Sequence, residues 1–328
     1  MRHRQASEGG TAETVRALWY SAAGQAELRH ERLPAPDPDE VRVRTLWTAL
    51  SRGTERLVFE GRVPDAVAGR MRAPAQGGEF PFPVKYGYCA VGELQEGGHV
   101  FALQPHQEGF VAPRATLCPL PPDLPPRRAV LAANMETALN AAWDSGAGPG
   151  DRIAVVGGGM VGLLVAHLCA GLPGAEVELI DRDPAREATA RALGLAFALP
   201  GAARPEADLV VHASASAAGL DLALSLAGDE AAVIELSWYG SEPVAAPLGL
   251  AFHARRLRLV GSQVGAVAAS RRPRWSHRRR LLKALDLLRD ERLDALITEE
   301  VAFADLPAAL PRLLKPGAPG LCTVIRYP

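Results

Sequence analysis

From Asp151 to Trp238 the sequence alternates between short apolar runs and alanine-rich runs, and this alternation constrains the fold more than any other feature. The apolar runs, beginning with "RIAVVG" and "EVELID", have the length of strands. The alanine-rich runs between them, such as "GLLVAHLCAGL" and "PAREATARALG", have the length of helices. Strands that alternate with helices of this length pair in parallel and are covered on both faces. The sequence therefore predicts an α/β fold with a doubly wound parallel sheet.

The segment "VVGGGMVG" joins the first of these strands to the first helix, and Gly157, Gly159 and Gly162 in it match the pattern G-x-G-x-x-G. In this pattern the first glycine permits a tight turn and the second lets a pyrophosphate approach the backbone. The third lets the helix pack on the strand. Met160 and Val161 open the helix, whose N-terminus is expected to receive the phosphates. The pattern in this context predicts a dinucleotide site.

Asp181 ends the second strand, about 20 residues after the glycines, where the pattern expects an acid that holds the ribose hydroxyls. Its negative charge would repel a 2′-phosphate, so NAD(H) is favoured over NADP(H) as the cofactor. Arg182 and Arg186 follow closely and keep NADP(H) open as an alternative.

Later strands of the same sheet supply further candidates for the cofactor site, because this fold binds its ligands at the carboxyl edge of the strands. These candidates are Ser214, Leu236 and Trp238. Trp238 follows the fifth sheet strand, where it is expected to line the nicotinamide or to pack in the core or in a dimer interface.

Length and charge limit the kind of protein and the kind of partner. The 328 residues exceed one ordinary domain, and length alone predicts about two. The 36 basic and 37 acidic residues give a net charge of -1, so no global field attracts nucleic acid or an acidic membrane. The long apolar run that begins at Ile153 divides into a strand, a turn and a helix, each too short to span a bilayer. The expected partner is a small-molecule substrate.

The cysteines and the N-terminus favour a reduced protein in the cytoplasm. Cys89, Cys118, Cys169 and Cys322 stand far apart and form no CxxC pair, so neither a disulfide framework nor a thiolate zinc knuckle is indicated. The N-terminal segment "MRHRQASEGGTAETVR" is polar and lacks the apolar region of a secretory signal.

The chain before the glycine loop has the pattern of a β-rich domain. From Val15 to Leu120 short apolar runs are broken by proline and glycine, and residues 41–45 alternate in polarity. The proline-rich "LPPDLPPRRAV" indicates a hinge, which is followed by a connecting helix that ends at Gly146 to Gly150. The closing "GLCTVIRYP" is strand-like and is expected to return to the first domain. We predict a catalytic domain over 1–134 and 267–328, and a dinucleotide-binding domain over 135–266.

This organisation resembles the medium-chain dehydrogenase/reductase superfamily, the alcohol dehydrogenase type, over nearly the whole chain. Five stretches carry the resemblance in the order of that superfamily: "ALSRGTE", "VKYGYCAVG", "NMETALNAAW", "VVGGGMVG" and "LRLVGSQVG". The resemblance implies a GroES-like catalytic domain beside a Rossmann domain. It also implies that Gln263 lies near the nicotinamide and the subunit edge, with a structural pairing as the alternative.

The resemblance fails at the metal ligands. Zinc-dependent members carry Cys-Gly-(Ser/Thr)-Asp where this chain has "RGTE", residues 52–55, and Gly-His-Glu where it has "GYC", residues 87–89. Arg52 thus replaces a cysteine ligand and Tyr88 replaces a histidine ligand. Catalytic zinc needs three protein ligands, and an arginine cannot replace a thiolate. Cys118 is the only cysteine between Gly92 and Pro126, so no structural zinc is expected either.

Without zinc, hydride transfer needs another proton donor or oxyanion partner at the carbonyl group. The aligned positions offer Tyr88, Arg52, Glu55, Lys85 and Glu136 as catalytic candidates. Tyr88 is the first choice, as a general acid whose pKa Arg52 or Lys85 would lower. Its alternative is an apolar wall with a satisfied hydroxyl. Arg52 is expected to bind an acidic group of the substrate, or to pair with Glu55 or Glu136.

Cys89 and a basic run near the C-terminus each allow a functional interpretation and a purely structural one. Cys89 could be a nucleophile, but no recognisable base lies near it in sequence, so a buried inert thiol is favoured. The basic run "SRRPRWSHRRR", from Ser270 to Arg280, could clamp a phosphate or carboxylate, whereas a solvated loop and helix start is more common for such runs.

Together these features predict a zinc-independent NAD(P)(H)-dependent oxidoreductase that moves hydride to or from an alcohol or carbonyl group. An enone or quinone reductase and a non-catalytic dinucleotide-binding protein remain alternatives. The segment "LSRGTERLVFEGRVP" is similar to bacteriochlorophyllide a dehydrogenases. Because members of the superfamily pair the edge strands of their cofactor domains, a homodimer or homotetramer is expected through the segment from Leu257 to Gly265.

Overall fold

A computed structural model describes residues 13–328, so most of the polar N-terminal segment lies outside the described residues. The first strands are β1 (Thr14–Ala22), β2 (Gln25–Arg32), β3 (Glu40–Ala49), β4 (Gly77–Gly78), β5 (Val84–Lys85), β6 (Ala90–Leu94), β7 (His99–Ala102), β8 (Gly109–Pro113) and β9 (Cys118–Pro119). The later strands are β10 (Arg152–Val156), β11 (Glu176–Ile180), β12 (Ala196–Ala198), β13 (Ala207–His212), β14 (Ala227–Glu235), β15 (Arg258–Gly261), β16 (Ile297–Ala302) and β17 (Cys322–Arg326).

The α-helices are α1 (Arg52–Phe59), α2 (Asp65–Met71), α3 (Pro126–Ala129), α4 (Ala132–Ser145), α5 (Met160–Ala170), α6 (Arg186–Ala192), α7 (Ala217–Leu226), α8 (His277–Leu287) and α9 (Leu306–Leu313). Within residues 13–328, none of the helices is long and apolar enough to cross a membrane. Helix α4 ends where the glycines predict, because Gly146 adopts the left-handed conformation with φ +71° that closes a helix.

Strands β10 to β15 form a six-stranded sheet in the order β12-β11-β10-β13-β14-β15. All of its strand pairs are parallel. The strand order reverses between β10 and β13, and in sheets of this kind ligands bind in the crevice outside the carboxyl ends at that point. The predicted doubly wound parallel sheet is confirmed, and β10 is followed directly by the glycine loop and α5.

The front half of the chain forms two sheets built mainly from antiparallel pairs, which confirms the predicted β-rich domain. The larger sheet has the order β16-β17-β3-β6-β7-β9, with β8 also paired to β3. The smaller sheet has the order β2-β1-β5-β4. Because β17 pairs antiparallel with β3, the C-terminal strand returns to the front domain as expected.

One apolar core connects the front sheet to the parallel sheet. Its largest cluster includes Cys89 and Phe101 of the front domain, Ile153 of β10, Leu163 of α5 and Leu281 of α8. Burial of apolar side chains is the main driving force for folding, so this cluster stabilises the two halves against each other. Helix α8 also packs on α4, next to this cluster. The domain limits at residues 134 and 267 stay a prediction.

Candidate functional site

Two glycines of the loop after β10 lie in contacts that leave no room for a side chain. Gly157 has φ +116°, and an added Cβ would lie 2.7 Å from the backbone of Ala213 and Ser214. At Gly162 an added Cβ would lie only 1.9 Å from the carbonyl oxygen of Gly157. The glycine turn therefore packs directly against the residues that follow β13 and against the first turns of α5.

Gly159 lies in open surroundings instead. It is exposed, it precedes the first residue of α5, and no atom lies within 4 Å of the position of an added Cβ. Met160 and Val161, both half-buried, begin the helix. Amides of a first helical turn lack intrahelical acceptors and carry partial positive charge. The N-terminus of α5 thus borders open space, as an anion site at a helix N-terminus requires.

The Asp181 carboxylate is fixed beside this loop, directly after β11. Its Oδ2 accepts a hydrogen bond from the Gly158 amide at 2.6 Å, and its Oδ1 accepts one from the Asp183 amide at 2.8 Å. Each carboxylate oxygen has a second lone pair, so the half-buried side chain can still accept from ribose hydroxyls. The structure therefore brings Asp181 and the glycine loop together.

The two arginines near Asp181 differ in their surroundings. Arg182 is exposed. Arg186 is half-buried, its Nη1 donates to the carbonyl oxygen of Gly320 at 2.9 Å, and its Nε lies 3.5 Å from Asp183 Oδ2. Arg186 is thus held between the parallel sheet and the C-terminal loop.

Ser214 and Leu236 both contact His212, the last residue of β13. Ser214 Oγ lies 2.7 Å from His212 Nε2, and the Leu236 amide donates to the His212 carbonyl oxygen at 2.9 Å. Both residues are half-buried at the carboxyl edge of the sheet, where the sequence predicts them.

Trp238 and Gln263 lie farther along that edge. The half-buried Trp238 packs against an apolar cluster of the front domain that includes Leu57 of α1. It therefore lies where the two halves of the chain meet. Gln263 is exposed, and its side-chain oxygen accepts from the Gly265 amide at 2.6 Å, which is a local structural pairing.

Tyr88 lies between the two largest apolar clusters of the protein. Its hydroxyl donates to Ser51 Oγ at 2.5 Å, and its ring meets Tyr86 edge to face at 6.0 Å between centroids. Burial raises the pKa of Tyr88 above its ordinary value, and the neighbouring Cys89 and Glu55 raise it further. The expectation that Arg52 or Lys85 lowers this pKa is wrong.

Arg52 is hydrogen-bonded to the C-terminal loop, which is one reason why it does not lower the pKa of Tyr88. Its guanidinium donates to the carbonyl oxygens of Ala318 at 2.6 Å, and of Pro319 and Gly320 at 2.9 Å each. The pKa of Arg52 is lowered by burial and by the neighbouring charges of Arg56 and Arg186. The expected pairing of Arg52 with Glu55 or Glu136 is also wrong, because the loop carbonyl groups take its donors.

Lys85 is bonded within the front domain, away from Tyr88. Its Nζ donates to Glu31 Oε2 at 2.6 Å and to Gln107 Oε1 at 3.1 Å. The chain leaves β5 after Lys85 and turns at Gly87, which has φ +129°, so proximity in sequence did not bring this ammonium to the phenol.

Glu55 is fully buried at the start of α1 and is the centre of a hydrogen-bond network. Its Oε1 accepts from the Ser51 amide at 2.7 Å, and its Oε2 accepts from the Tyr20 hydroxyl at 2.6 Å. The same Oε2 lies 2.9 Å from His106 Nε2, and His106 Nδ1 lies 2.7 Å from Thr48 Oγ1. Glu55 therefore holds the turn that presents Ser51 to Tyr88.

Glu136 belongs to a buried ion pair. Its Oε1 accepts from Arg280 Nε at 3.0 Å, and Arg280 also donates to Asn140 Oδ1 at 2.5 Å. Burial raises the pKa of Glu136, and the charge of Arg280 opposes that shift. Arg280 ends the basic run predicted to clamp a ligand or to be solvated, yet it is buried and pins α8 to α4.

The cysteines are free and buried. Burial raises the pKa of Cys89, which disfavours the thiolate that a nucleophile or a zinc ligand requires. Within residues 13–328, His, Cys, Asp and Glu side chains form no group of three or more that could hold a metal ion.

Sequence reasoning missed several polar residues that the fold brings to these positions. Ser51 and His106 surround Tyr88 and Glu55 in the front domain, and His212 and Glu235 end neighbouring strands of the parallel sheet. His212 carried a local signal, since a histidine at the end of the apolar "ADLVVH" is unusual for a buried strand. His106 carried none, because its partner Glu55 is 51 residues away.

Solved structures of several dehydrogenases share this fold over almost the whole chain. L-idonate 5-dehydrogenase of Escherichia coli K-12 MG1655 has a TM-score of 0.77 and 12% identity, over 97% of this chain and 99% of that one. A protein described as a short chain alcohol dehydrogenase of E. coli CFT073, complexed with NADH, has a TM-score of 0.74 and 16% identity, over 96% and 99% of the two chains.

A proposed zinc-binding dehydrogenase of Sinorhizobium meliloti 1021, bound to NADP, has a TM-score of 0.76 and 19% identity, over 96% and 99% of the two chains. No protein-family profile matches this chain. At these identities the likeness shows a shared fold alone. The residues of the site must carry any statement about activity.

Proposed function

We propose that this protein is an NAD(P)(H)-dependent oxidoreductase that transfers hydride to or from an alcohol or carbonyl group of a small molecule, without zinc. The carrying observation is the open N-terminus of α5 at Gly159, with the Asp181 carboxylate fixed beside the same loop. A dinucleotide has the pyrophosphate and the ribose that these two features fit. Proteins of the same fold bound to NADH and to NADP support this assignment.

The cofactor would be held by the glycine loop, the first turn of α5 and Asp181. When bound, the nicotinamide supplies the hydride chemistry. The half-buried Trp238 packs where the front domain meets the parallel sheet, which suits a residue that excludes water from the reacting atoms. NAD(H) is favoured, because Asp181 would repel a 2′-phosphate and Arg186 is already bonded to Gly320.

Zinc independence is supported by the donors at the positions that correspond to metal ligands. Arg52 has no lone pair to give and is bonded to carbonyl groups of the C-terminal loop. Burial raises the pKa of Tyr88 and of Cys89, so a phenolate or thiolate ligand is disfavoured at both. These neutral or cationic groups do not suit a divalent metal ion.

Tyr88 is the proton donor in this proposal. Its raised pKa keeps the phenol protonated across the neutral range, as a donor to a developing alkoxide must be. Ser51 Oγ, the present acceptor of the phenol, holds the hydroxyl in place until it turns to a substrate oxygen. Only a phenolate could accept the alcohol proton in the oxidation direction, so the raised pKa of Tyr88 favours reduction of the carbonyl group.

The protein is proposed to form a homodimer or a homotetramer through the edge strand β15. Among the described strands, β15 pairs with β14 on one side and with no strand on the other. Its residues Leu259 and Val260 are 40% and 36% exposed. An exposed apolar edge strand offers unpaired backbone groups to a second copy. The free, buried cysteines fit a reduced cytoplasmic protein.

The cofactor assignment is tested by titrating purified protein with NADH and with NADPH, following nicotinamide fluorescence. Wild-type protein is expected to bind NADH about tenfold more tightly than NADPH, or about 1.4 kcal/mol. Asp181→Ala should lose this preference, whereas Asp183→Ala, which removes the same charge two residues away, should keep it. Binding of neither nucleotide would refute the proposed function, and tighter binding of NADPH would refute the role of Asp181.

The proton donor is tested with Tyr88→Phe, using the substrate that a screen of alcohols, ketones and enones identifies. Loss of the hydroxyl should lower kcat about 10²- to 10⁴-fold and leave the Kd for NADH unchanged. Tyr86→Phe is the matched control, because its hydroxyl donates to the Met71 carbonyl group outside the proposed site. Equal kcat values for Tyr88→Phe and wild type would make Tyr88 an apolar wall, whereas binding of NADH without turnover of any screened compound would favour a non-catalytic protein.

The oligomer is tested by size-exclusion chromatography with light scattering. Wild-type protein should elute at two or four times the chain mass of 34.7 kDa. Val260→Lys should give single chains, because two lysines would meet at the paired edge. Leu199→Lys, at an equally exposed leucine (46%) beyond the other end of the sheet, should leave the mass unchanged. A strict wild-type monomer would refute the assembly.

A further inference from the structure

A hydrogen-bonded chain of three side chains lies at the carboxyl ends of β13 and β14. His212 and Glu235 are the last residues of these strands and are direct partners in their parallel register. His212 Nδ1 lies 2.7 Å from Glu235 Oε2, and His212 Nε2 lies 2.7 Å from Ser214 Oγ. The order serine, histidine, carboxylate, with one imidazole nitrogen facing each partner, is that of a base-activated serine.

The hydrogen-bond partners of Glu235 determine which group donates in each hydrogen bond of this chain. Burial raises the pKa of Glu235, but hydrogen bonds from His212 and from the Ser237 amide outweigh it, and the net pKa is lowered. The carboxylate therefore accepts from His212 Nδ1, and also from the Tyr239 hydroxyl at 3.1 Å. With its proton on Nδ1, a neutral imidazole accepts at Nε2, and Ser214 must donate there.

The chain continues beyond Ser214 into the start of helix α7. Ser216 Oγ lies 2.9 Å from Ser214 Oγ and accepts from the Gly219 amide at 3.1 Å. Because that amide is a donor, the Ser216 hydroxyl is free to donate to Ser214. The Ser214 oxygen thus receives one hydrogen bond and gives its own proton to the histidine.

Gly219 is the residue that makes room for this arrangement. An added Cβ at position 219 would lie 2.0 Å from Ser214 Oγ and 2.8 Å from His212 Nε2. Any larger residue at this position would displace the Ser214 hydroxyl from the histidine. Ala215, beside Ser214 in the strand-to-helix turn, has φ +50°, a left-handed conformation that is uncommon for residues other than glycine.

We propose that Ser214 is a base-activated nucleophile that reacts with electrophilic acyl groups such as carboxylic esters. Its Oγ bonds to the carbonyl carbon while its proton passes to His212 Nε2, and Glu235 stabilises the resulting imidazolium. The bond from that carbon to the leaving oxygen breaks, and the departing alkoxide takes the proton from Nε2. Water, activated by the same histidine, then hydrolyses the acyl-serine, which releases a carboxylic acid and restores the hydroxyl.

The start of α7 supplies the partner for the negative charge of this reaction. The amides of Ala217 and Ala218 belong to the first helical turn, where no intrahelical acceptor exists, and both residues are exposed. Such amides stabilise an oxyanion that develops beside them. Ser214 itself is half-buried on this turn, so it borders solvent as well as the histidine.

The test is covalent labelling of nucleotide-free protein with a fluorophosphonate probe, followed by peptide mass spectrometry. The adduct is expected on Ser214, and Ser214→Ala should abolish it. Ser225→Ala is the matched control, because Ser225 is exposed on α7 and donates to the Leu222 carbonyl group; labelling of this variant should equal that of wild type. Release of p-nitrophenol from p-nitrophenyl acetate should show the same order of variants.

A second variant separates an activated serine from an ordinary one. Glu235→Gln keeps the shape but no longer fixes the imidazole tautomer, so labelling should slow by at least about 100-fold. Absence of a wild-type adduct on Ser214 refutes the proposal, whether or not Glu235→Gln folds. A folded Glu235→Gln variant that is labelled as fast as wild type refutes it too. The assay uses neither cofactor nor hydride acceptor, so its failure is distinguishable from failure of the proposed dehydrogenase.

Discussion

The close contact between Gly162 and the carbonyl oxygen of Gly157 is the constraint on which the rest of the site depends. Because a Cβ at position 162 would lie 1.9 Å from that oxygen, α5 approaches the turn this closely only with glycine there. The approach brings the N-terminus of α5 to the carboxyl edge of the sheet, beside Asp181. The same turn packs on Ala213, so it also aligns the end of β13, from which Ser214 extends.

The front domain meets this edge with hydrogen-bonding groups at the start of α1 and at Tyr88. Glu55 binds the Ser51 amide, and Ser51 accepts from Tyr88, so the start of α1 and the phenol are held together. Arg52, one residue farther on, ties the same helix to the loop before β17. Hydrogen bonds within the protein thus set the geometry of this region.

The sequence predicted the parallel sheet and the glycine loop because both depend on neighbours within a few residues. Apolar runs alternating with helical runs determine the layers, and all the glycines of the loop fall within eight residues. The partners of long charged side chains were not predictable in this way. Arg52 binds Ala318, 266 residues away, and Glu136 binds Arg280, 144 residues away. These pairs are chosen by the tertiary fold, and nothing in local spacing encodes them.

Dependence on the tertiary fold also explains why the expected lowering of the Tyr88 pKa by a nearby cation was wrong. The sequence put Lys85 three residues away, yet the strand sends its ammonium to Glu31. Burial, which depends on both halves of the chain, then raises the pKa of the phenol that a nearby cation was expected to lower. The sequence could therefore suggest Tyr88 as a candidate proton donor but could not give the sign of its pKa shift.

The central claim is that hydride transfer in this protein runs without zinc. The most direct measurement is the zinc content of protein purified from zinc-supplemented cells, by inductively coupled plasma mass spectrometry, paired with NADH-dependent turnover before and after treatment with a chelator. The account predicts zinc far below one ion per chain and turnover that the chelator does not change. One zinc ion per chain, removed together with turnover, would contradict it.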